Sequence, residues 1–454
     1  MNINNIITIA GTGLSSASQQ LAIISQNVAN ANTPGYAAET ISQTSVVADG
    51  VGIGVRTGVA TRNVDIHLQA DANAAAAGTA GQQVTADALN SIDAASGTPG
   101  SGNDLSSLLG ALTDAFSSLS SDPSNVTQQH KVVQQAGVLS QGINSLSQTV
   151  ANARQKAQDQ AFDAVTTANA TLRTIGRLTI QIIAAASRGS STASLEDRRD
   201  ASLQQVTALT GVKFLHQPDG SVLAALKGLV LPLDAKTGPF SLTAALLSAT
   251  SGAGSASGLL LKGQDVTSQV TGGQLGALLI LRDQTLPSVQ TSLDSFAQSL
   301  ASGFNAHGVQ LFTDPAGAIP TGAGAGLTIQ VAAAAKANPA VVRDGASSSG
   351  LAGDPTLIDN VLNGVLRGGA GTVTDQALTV TSTIASLASN ASTELATQQG
   401  VSTALSTRLA SADGVSIDSE LASLVQLQSS YAANAKVLAS TNTLWSELLA
   451  AVVL

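Results

Sequence analysis

The chain has 454 residues, only 11% of them charged and 2% aromatic, with a formal net charge of -9. Its 20 Lys and Arg are scattered and the first 55 positions hold none, which excludes the clustered basic surface of a nucleic-acid binder and speaks against a secretory signal peptide with its basic start. Cys is absent, so disulfide and thiolate chemistry are excluded, and no apolar run approaches the roughly 20 residues of a membrane span. Ala, Ser, Thr, Gln and Gly take the place that large side chains hold in a compact enzyme of this size. Small side chains at many positions suit long helices packed closely in an elongated molecule.

Along the first segment Ile3, Ile7, Ala10, Leu14, Ala17, Leu21, Ile24, Val28 and Ala31 alternate spacings of four and three. This is the a/d stripe of a coiled-coil helix. Asn32-Thr33-Pro34-Gly35 ends it, because Pro disfavours helix before it and Gly favours a turn. Val46 to Val64 is β-branched and punctuated by Gly, which predicts extended chain or a hairpin. One long helix, or two in line, is predicted from about 128 to 187, on the stripe from Val132 through Leu139, Ile143, Val150, Leu172 and Ile182. Val212–His216, the turn Pro218-Asp219-Gly220 and Val222–Leu226 then read as a hairpin. A further helical block runs from Leu275 to Leu300, with Pro287 as an expected kink. Gly/Ser-rich loops are read at 97–102, 251–258, 322–326 and 347–350.

The last segment mirrors the first. Ile417, Leu421, Leu424, Gln428, Tyr431, Ala435, Leu438, Asn442, Trp445 and Leu449 keep the four-three spacing, with Gln428 and Asn442 as polar register-setters. A single buried stripe does not offset the conformational entropy of ordering its helix, so each end needs a cover. The inter-helix stripe is expected at Leu14, Leu21, Ile24, Val28, Leu421, Leu424, Leu438, Trp445 and Leu449. Both ends are expected to be mobile alone and helical in an assembly. The fold class is therefore mainly α with a small β insert: elongated, with paired N- and C-terminal coiled-coil helices, a central helical-bundle domain and a short β domain. The expected divisions are 1–65, 66–211, 212–271, 272–412 and 413–454.

Residues Ser25 to Tyr36 (SQNVANANTPGY) and Gln428 to Val437 (QSSYAANAKV) resemble the paired terminal signatures of flagellar axial proteins. Leu195-Glu196-Asp197-Arg198-Arg199-Asp200, Gly273–Leu279 with Arg282-Asp283, Phe304–His307 and Asp413–Asp418 are similar to the hook-associated protein 1 family within that group. Ala37 and Ala38 depart from it, since a polar or basic residue usually follows the Gly-Tyr. The resemblance implies a structural subunit of the hook–filament junction, not an enzyme. It also implies a homo-oligomeric ring, with hook protein on one side and a second junction protein or filament on the other. Export through the type III apparatus with a chaperone, and a secreted, extracellular location on the bacterial flagellum, follow from it. The terminal helices would form the inner tube, with Asn27, Asn30, Asn32, Thr33, Pro34, Gly35, Tyr36, Tyr431, Asn434 and Lys436 as the assembly motif. A hook or distal rod subunit, a wall hydrolase and a surface adhesin are the alternatives.

Other residues carry weaker chemistry. Asn27, Asn30 and Asn32 suit helix termination or amide bridges between subunits. Tyr431 and Trp445, on one stripe near the chain end, suit interface anchors. Glu196, Asp197 and Asp200 beside Arg198 and Arg199 read as a helical-turn ion-pair cluster. His67, His130, His216 and His307 have no metal-ligand spacing, and Gly50, Gly52 and Gly54 lack the remainder of a nucleotide loop. No cofactor, metal, nucleic-acid or membrane partner is expected.

Overall fold

The computed structural model describes all residues except 1–2, 34, 49, 99, 228, 232, 234–235, 237, 249–255, 346–350, 368–371 and 453–454. Pro34 of the expected assembly motif, and the loop expected at 347–350, therefore lie outside the described residues, as does most of that at 251–258. The chain opens with α1 (Ile3–Asn30) and an antiparallel hairpin, β1 (Glu39–Ala48) with β2 (Val51–Arg62). The helical body begins with α2 (Ile66–Ser96), α3 (Leu105–Ser121), α4 (Val126–Ser187) and α5 (Ala193–Thr210).

Small antiparallel sheets follow: β3 (Lys213–His216), β4 (Val222–Leu226) and β5 (Leu229–Leu231) form one, and β6 (Phe240–Ser241), β7 (Leu260–Leu261) and β8 (Gln264–Asp265) another. The body resumes with α6 (Gly273–Ile280) and α7 (Leu286–Ala306), joined by a π-helical turn at Leu281–Thr285. Short elements come next: β9 (Phe312–Thr313), α8 (Ala325–Thr328), β10 (Gln330–Val331), α9 (Ala333–Ala337), α10 (Val341–Asp344) and α11 (Thr356–Val361). The chain closes with α12 (Val373–Asp413) and α13 (Ile417–Val452).

The segment expected as one helix or two in line is the single helix α4, 62 residues long and therefore about 93 Å in length. Asn125 starts it by accepting hydrogen bonds from the Thr127 and Gln128 backbone N–H groups. Its stripe from Val132 through Ala136, Leu139, Ile143, Leu146 and Val150 is buried against the rest of the body. The second half of α4 packs against α5, where Thr171 Oγ1 donates to Gln205 Oε1 at 3.2 Å, and along this half α4 buries Ala157, Ala161, Ala164 and Ala168. Small side chains let the two backbones approach, which explains the Ala-rich composition.

Rings are few, and three of them meet at one point. Phe304 of α7 lies 5.6 Å from Phe116 of α3 and 5.3 Å, edge-on, from Phe312 of β9, favourable arrangements for aromatic quadrupoles. At α6 the chain passes so close to the end of α5 that a Cβ on Gly273 would stand 2.7 Å from the Gly211 backbone nitrogen. Gly273 also has φ of 65°, so only glycine fits without strain.

The helix expected to kink at Pro287 departs from regular geometry one turn earlier. The helix widens over Leu281–Thr285, and Pro287 then occupies the first turn of α7, where its missing N–H costs nothing. The widened turn accommodates Arg282, which is fully buried. Its guanidinium meets Asp283 Oδ2 at 2.6 Å and donates to Gln158 Oε1 at 2.6 Å, while Arg154 Nε donates to the Arg282 carbonyl.

Asp104 caps α3 and is wholly buried. Burial raises its pKa, but hydrogen bonds from Ser106, Ser107 and Gly100 outweigh that and hold it down at about 2. A depressed carboxylate stabilises the fold above its ordinary pKa, and that contribution is lost as pH falls from about 4 towards 2. Asp104→Ala should therefore cost about 1–2 kcal/mol at pH 7, with the difference from the parent shrinking at pH 2. Denaturant melts at the two pH values check both parts.

Candidate assembly surface and the root of the axial arm

α1, the β1–β2 hairpin and α13 pack together as one arm. Gly13 faces Asn434 and Asn27 reaches Glu420, so α1 and α13 run antiparallel. A Cβ on Gly13 would come within 3.1 Å of the Asn434 side-chain amide, so a larger residue there would have to displace that side chain. On α1, Ala10, Ala17 and Ile24, seven residues apart, are buried, as are Ser16 and Asn27 on the neighbouring face. The hairpin covers that second face. Gln43 Nε2 donates to Ser16 Oγ at 2.6 Å and the Val55 N–H donates to Thr12 Oγ1 at 3.2 Å.

Asn27 is 1% exposed and ties three segments together. Its Nδ2 donates to the Glu39 carbonyl and to Glu420 Oε1, both at 2.9 Å. Its Oδ1 accepts from the Glu39 N–H at 3.0 Å and from the Tyr36 hydroxyl at 2.8 Å. Burial, with help from Glu39 and other nearby carboxylates, pushes the Tyr36 phenol up to about 12, so it stays a donor at any physiological pH. The turn after α1 is held locally: Asn30 Nδ2 donates to the Gln26 carbonyl, and Thr33 Oγ1 donates to Asn30 Oδ1. Asn32, Thr33 and Gly35 are exposed. Asn27 therefore makes its amide bridges within the subunit, and Asn30 holds the end of the helix.

The stripe residues divide unevenly. Ile24 is buried, while Leu14, Leu21, Val28, Leu424 and Leu438 are half-buried along the helix pair. Leu421 (48%), Tyr431 (40%), Trp445 (44%) and Leu449 (50%) are exposed, as are Val425, Leu444 and Leu448. Lys436 is exposed and Asn434 half-buried. α13 thus offers its partner a narrow seam and turns an apolar face outward. An open groove of about 710 Å³ also runs between α1, the hairpin and α13, lined by residues such as Ile9, Ile23, Val55 and Leu427.

At the root of the arm the ion-pair reading of Glu196 to Asp200 needs correcting. Its carboxylates are held mainly by a distant arginine rather than by the adjacent ones. They converge on Arg62, at the end of β2, whose side chain is 5% exposed: Asp200 Oδ2 at 2.5 Å, Asp197 Oδ1 at 2.9 Å and Glu196 Oε2 at 3.6 Å. Arg199 turns instead to the Gly220 carbonyl at 2.6 Å, approaching Asp200 only at 3.9 Å, and Arg198 is exposed. Positions 196, 197 and 200 share one helix face, which sequence spacing shows. Nothing local identifies an arginine more than 130 residues earlier as the partner. Asp413 completes the root. Its carbonyl accepts from the Ala38 N–H at 2.8 Å and its Oδ1 from the Asp65 N–H at 3.0 Å, clamping the two connections between arm and body.

Among the described residues no group of three or more His, Asp or Glu is placed to hold a metal ion, and no helix is long and apolar enough to cross a membrane. Residues 89–316 match the family described as the flagellar hook-associated protein FlgK helical domain, and residues 7–36 match the flagella basal body rod protein family. A solved structure of the flagellar hook junction protein FlgK from Burkholderia pseudomallei is similar at 23% identity with a TM-score of 0.47. That match covers 56% of this chain and 46% of that one. No curated protein matches the chain.

Removing the Asn27 amide leaves several buried partners unsatisfied, each costing about 1–3 kcal/mol. Asn27→Ala should open the arm to native-state proteolysis while the helical body stays resistant. Asn27→Asp should do so more severely, since it sets a carboxylate against Glu420 and the Glu39 carbonyl. Equal arm resistance in all three proteins would contradict the hub role.

Proposed function

This chain belongs to the family of the flagellar hook-associated protein FlgK, and from that premise we propose that it is a structural subunit of the hook–filament junction. The family is an axial component of the flagellum. The observation that carries the finer reading is the arm: two terminal helices paired along a narrow seam, with large apolar side chains of α13 such as Leu421, Val425, Trp445 and Leu449 left exposed. Exposed apolar surface of this kind suits an interaction site, and in a closed ring each copy supplies the cover for the next.

In this reading copies of the chain form a ring whose inner wall is built from α1 and α13. One face meets hook protein and the other a second junction protein or the filament. The elongated helical body surrounds the wall. The subunit reaches its place by type III export with a chaperone and ends outside the cell. The assembly motif of the terminal signatures acts in two ways: Asn27, Asn30 and Tyr36 shape the arm, while Tyr431 and Lys436 face neighbours, joined by Trp445 and Leu449 of the stripe. The divisions at 1–65 and 413–454 correspond to the arm, and 66–412 to the body with its β insert. The match of residues 7–36 to rod proteins keeps a distal rod subunit as the second reading, against which stands the helical-domain match over 89–316.

Immunogold electron microscopy of purified flagella and hook-basal bodies decides between them. Label confined to the hook–filament boundary is expected, and label along the rod or hook would overturn the junction role. Trp445→Asp and Leu421→Asp provide a second check. Because both side chains are exposed in the subunit, melts should change by less than about 0.5 kcal/mol, while filament attachment and motility are lost.

A further inference from the structure

The root of the arm offers an inference that rests on the arm being the assembling part. We propose that Arg62 is the positioning residue of the arm, its grip on the acidic face of α5 fixing the direction in which the arm leaves the body, and that this grip is proton-linked through Asp197.

The geometry isolates Arg62 for this role. Arm and body are joined covalently at two places, Asn63–Asp65 into α2 and Gly414–Ser416 into α13. Peptide connections alone leave the arm free to swing. Backbone bonds at Asp413 hold the two connections to each other, not to α5. Among the described residues the links from the arm to α5 and its approach include the Ala37 N–H donating to Asp197, Ser191 Oγ donating to the Ala60 carbonyl at 3.2 Å, and Arg62, which alone engages three carboxylates, those of Glu196, Asp197 and Asp200. A guanidinium held by carboxylates from more than one side fixes an angle as well as a distance.

The surrounding charges make the grip sensitive to protons. From α5 come Glu196, Asp197 and Asp200, with Arg199 partly offsetting Asp200 and Arg198 facing solvent. The arm contributes Glu39, 4% exposed, with Tyr36 and Glu420 beyond it. The body adds Asp413 from α12 and Asp65 from the start of α2, with Arg408 near it, and His216 of β3 stands 3.9 Å from Asp200. Acids outnumber bases, so with every carboxylate ionised Arg62 is over-subscribed. Burial raises Asp197 to about 6, with Arg62 opposing and Asp200 and Glu39 reinforcing the rise. Burial likewise raises Glu39 and Asp413. Asp200 is the exception: burial pushes it up, but its bonds to His216 and Arg62 hold it below the ordinary value.

The signs then define a window. An acid with a raised folded-state pKa penalises the folded joint as pH climbs through that value, so ionising Asp197 above about 6 leaves a half-buried charge whose burial cost its contacts with Arg62 and the Ala37 N–H do not fully offset. Asp200 keeps its bond to Arg62 until pH falls below the usual carboxylate range. The arm is therefore held most firmly in mildly acidic solution and swings more freely above neutrality.

The chain has no Cys, so fluorophores can be placed on Ser45→Cys of the hairpin and Gln148→Cys of α4, both exposed in the parent, in the full-length subunit. The expected result is a transfer-distance distribution about twice as wide at pH 7.8 as at pH 5.2. Asp197→Asn should stay narrow at both pH values, Arg62→Ala wide at both, and Arg62→Lys should restore part of the narrowing with its pH dependence. An Arg62→Ala distribution as narrow as the parent's, or a parent width unchanged with pH, would overturn the proposal. Should Arg62→Ala unfold the body by circular dichroism, the Asp197→Asn and Arg62→Lys pair still decides. The experiment uses free subunit, so its failure leaves the junction role standing, and misplaced gold label would leave the joint standing.

Discussion

Asn27 uses both amide hydrogens and both lone pairs of its oxygen, and each goes to a group that must be in place for the arm to exist. One bond reaches α13, two hold the backbone of Glu39 where β1 begins, and the last fixes Tyr36 in the turn between. A buried amide with every capacity filled strongly specifies one geometry, because any rearrangement leaves polar groups unpaired in a dry site. The hairpin, the helix pair and the outward face of α13 all follow from that fixed point.

The low aromatic and high Ala content has a mechanical meaning in this frame. α1 contributes Ala10, Ala17 and Gly13 to its seam, and α4 buries a row of alanines along its second half. Close backbone approach of this sort gives stiffness without bulky side chains. The large apolar residues of α13, Leu421, Trp445 and Leu449 among them, are spared from the subunit's own core and remain available for other molecules. A monomer that kept them inside would bury more area and assemble less.

Much of this was legible in the sequence. The four-three stripes placed α1, α4, α7 and α13, because a helix seam repeats locally and needs no knowledge of its partner. The turn at 218–220 and the terminal signatures were likewise local. What escaped was whatever depends on two distant segments meeting. Arg62 looked like an isolated basic residue at the end of a hairpin, and Glu39, Glu420 and Asp413 gave no periodic signal. The adjacent arginines at 198 and 199 offered a nearer partner for the α5 acids than the true one. The stripe on α13 was visible but not the share of it that stays uncovered, which depends on how narrow its partner's seam is.

The central claim is that α13 is only half-covered in the subunit and is completed by neighbours. Hydrogen exchange of residues 417–452, compared between free subunit and purified hook–filament particles containing it, tests this most directly. The account predicts faster exchange along this helix than along α4 in the free subunit and slowing by about a hundredfold or more in the particle, with α4 equally protected in both. Equal and strong protection of 417–452 in the free subunit would contradict it.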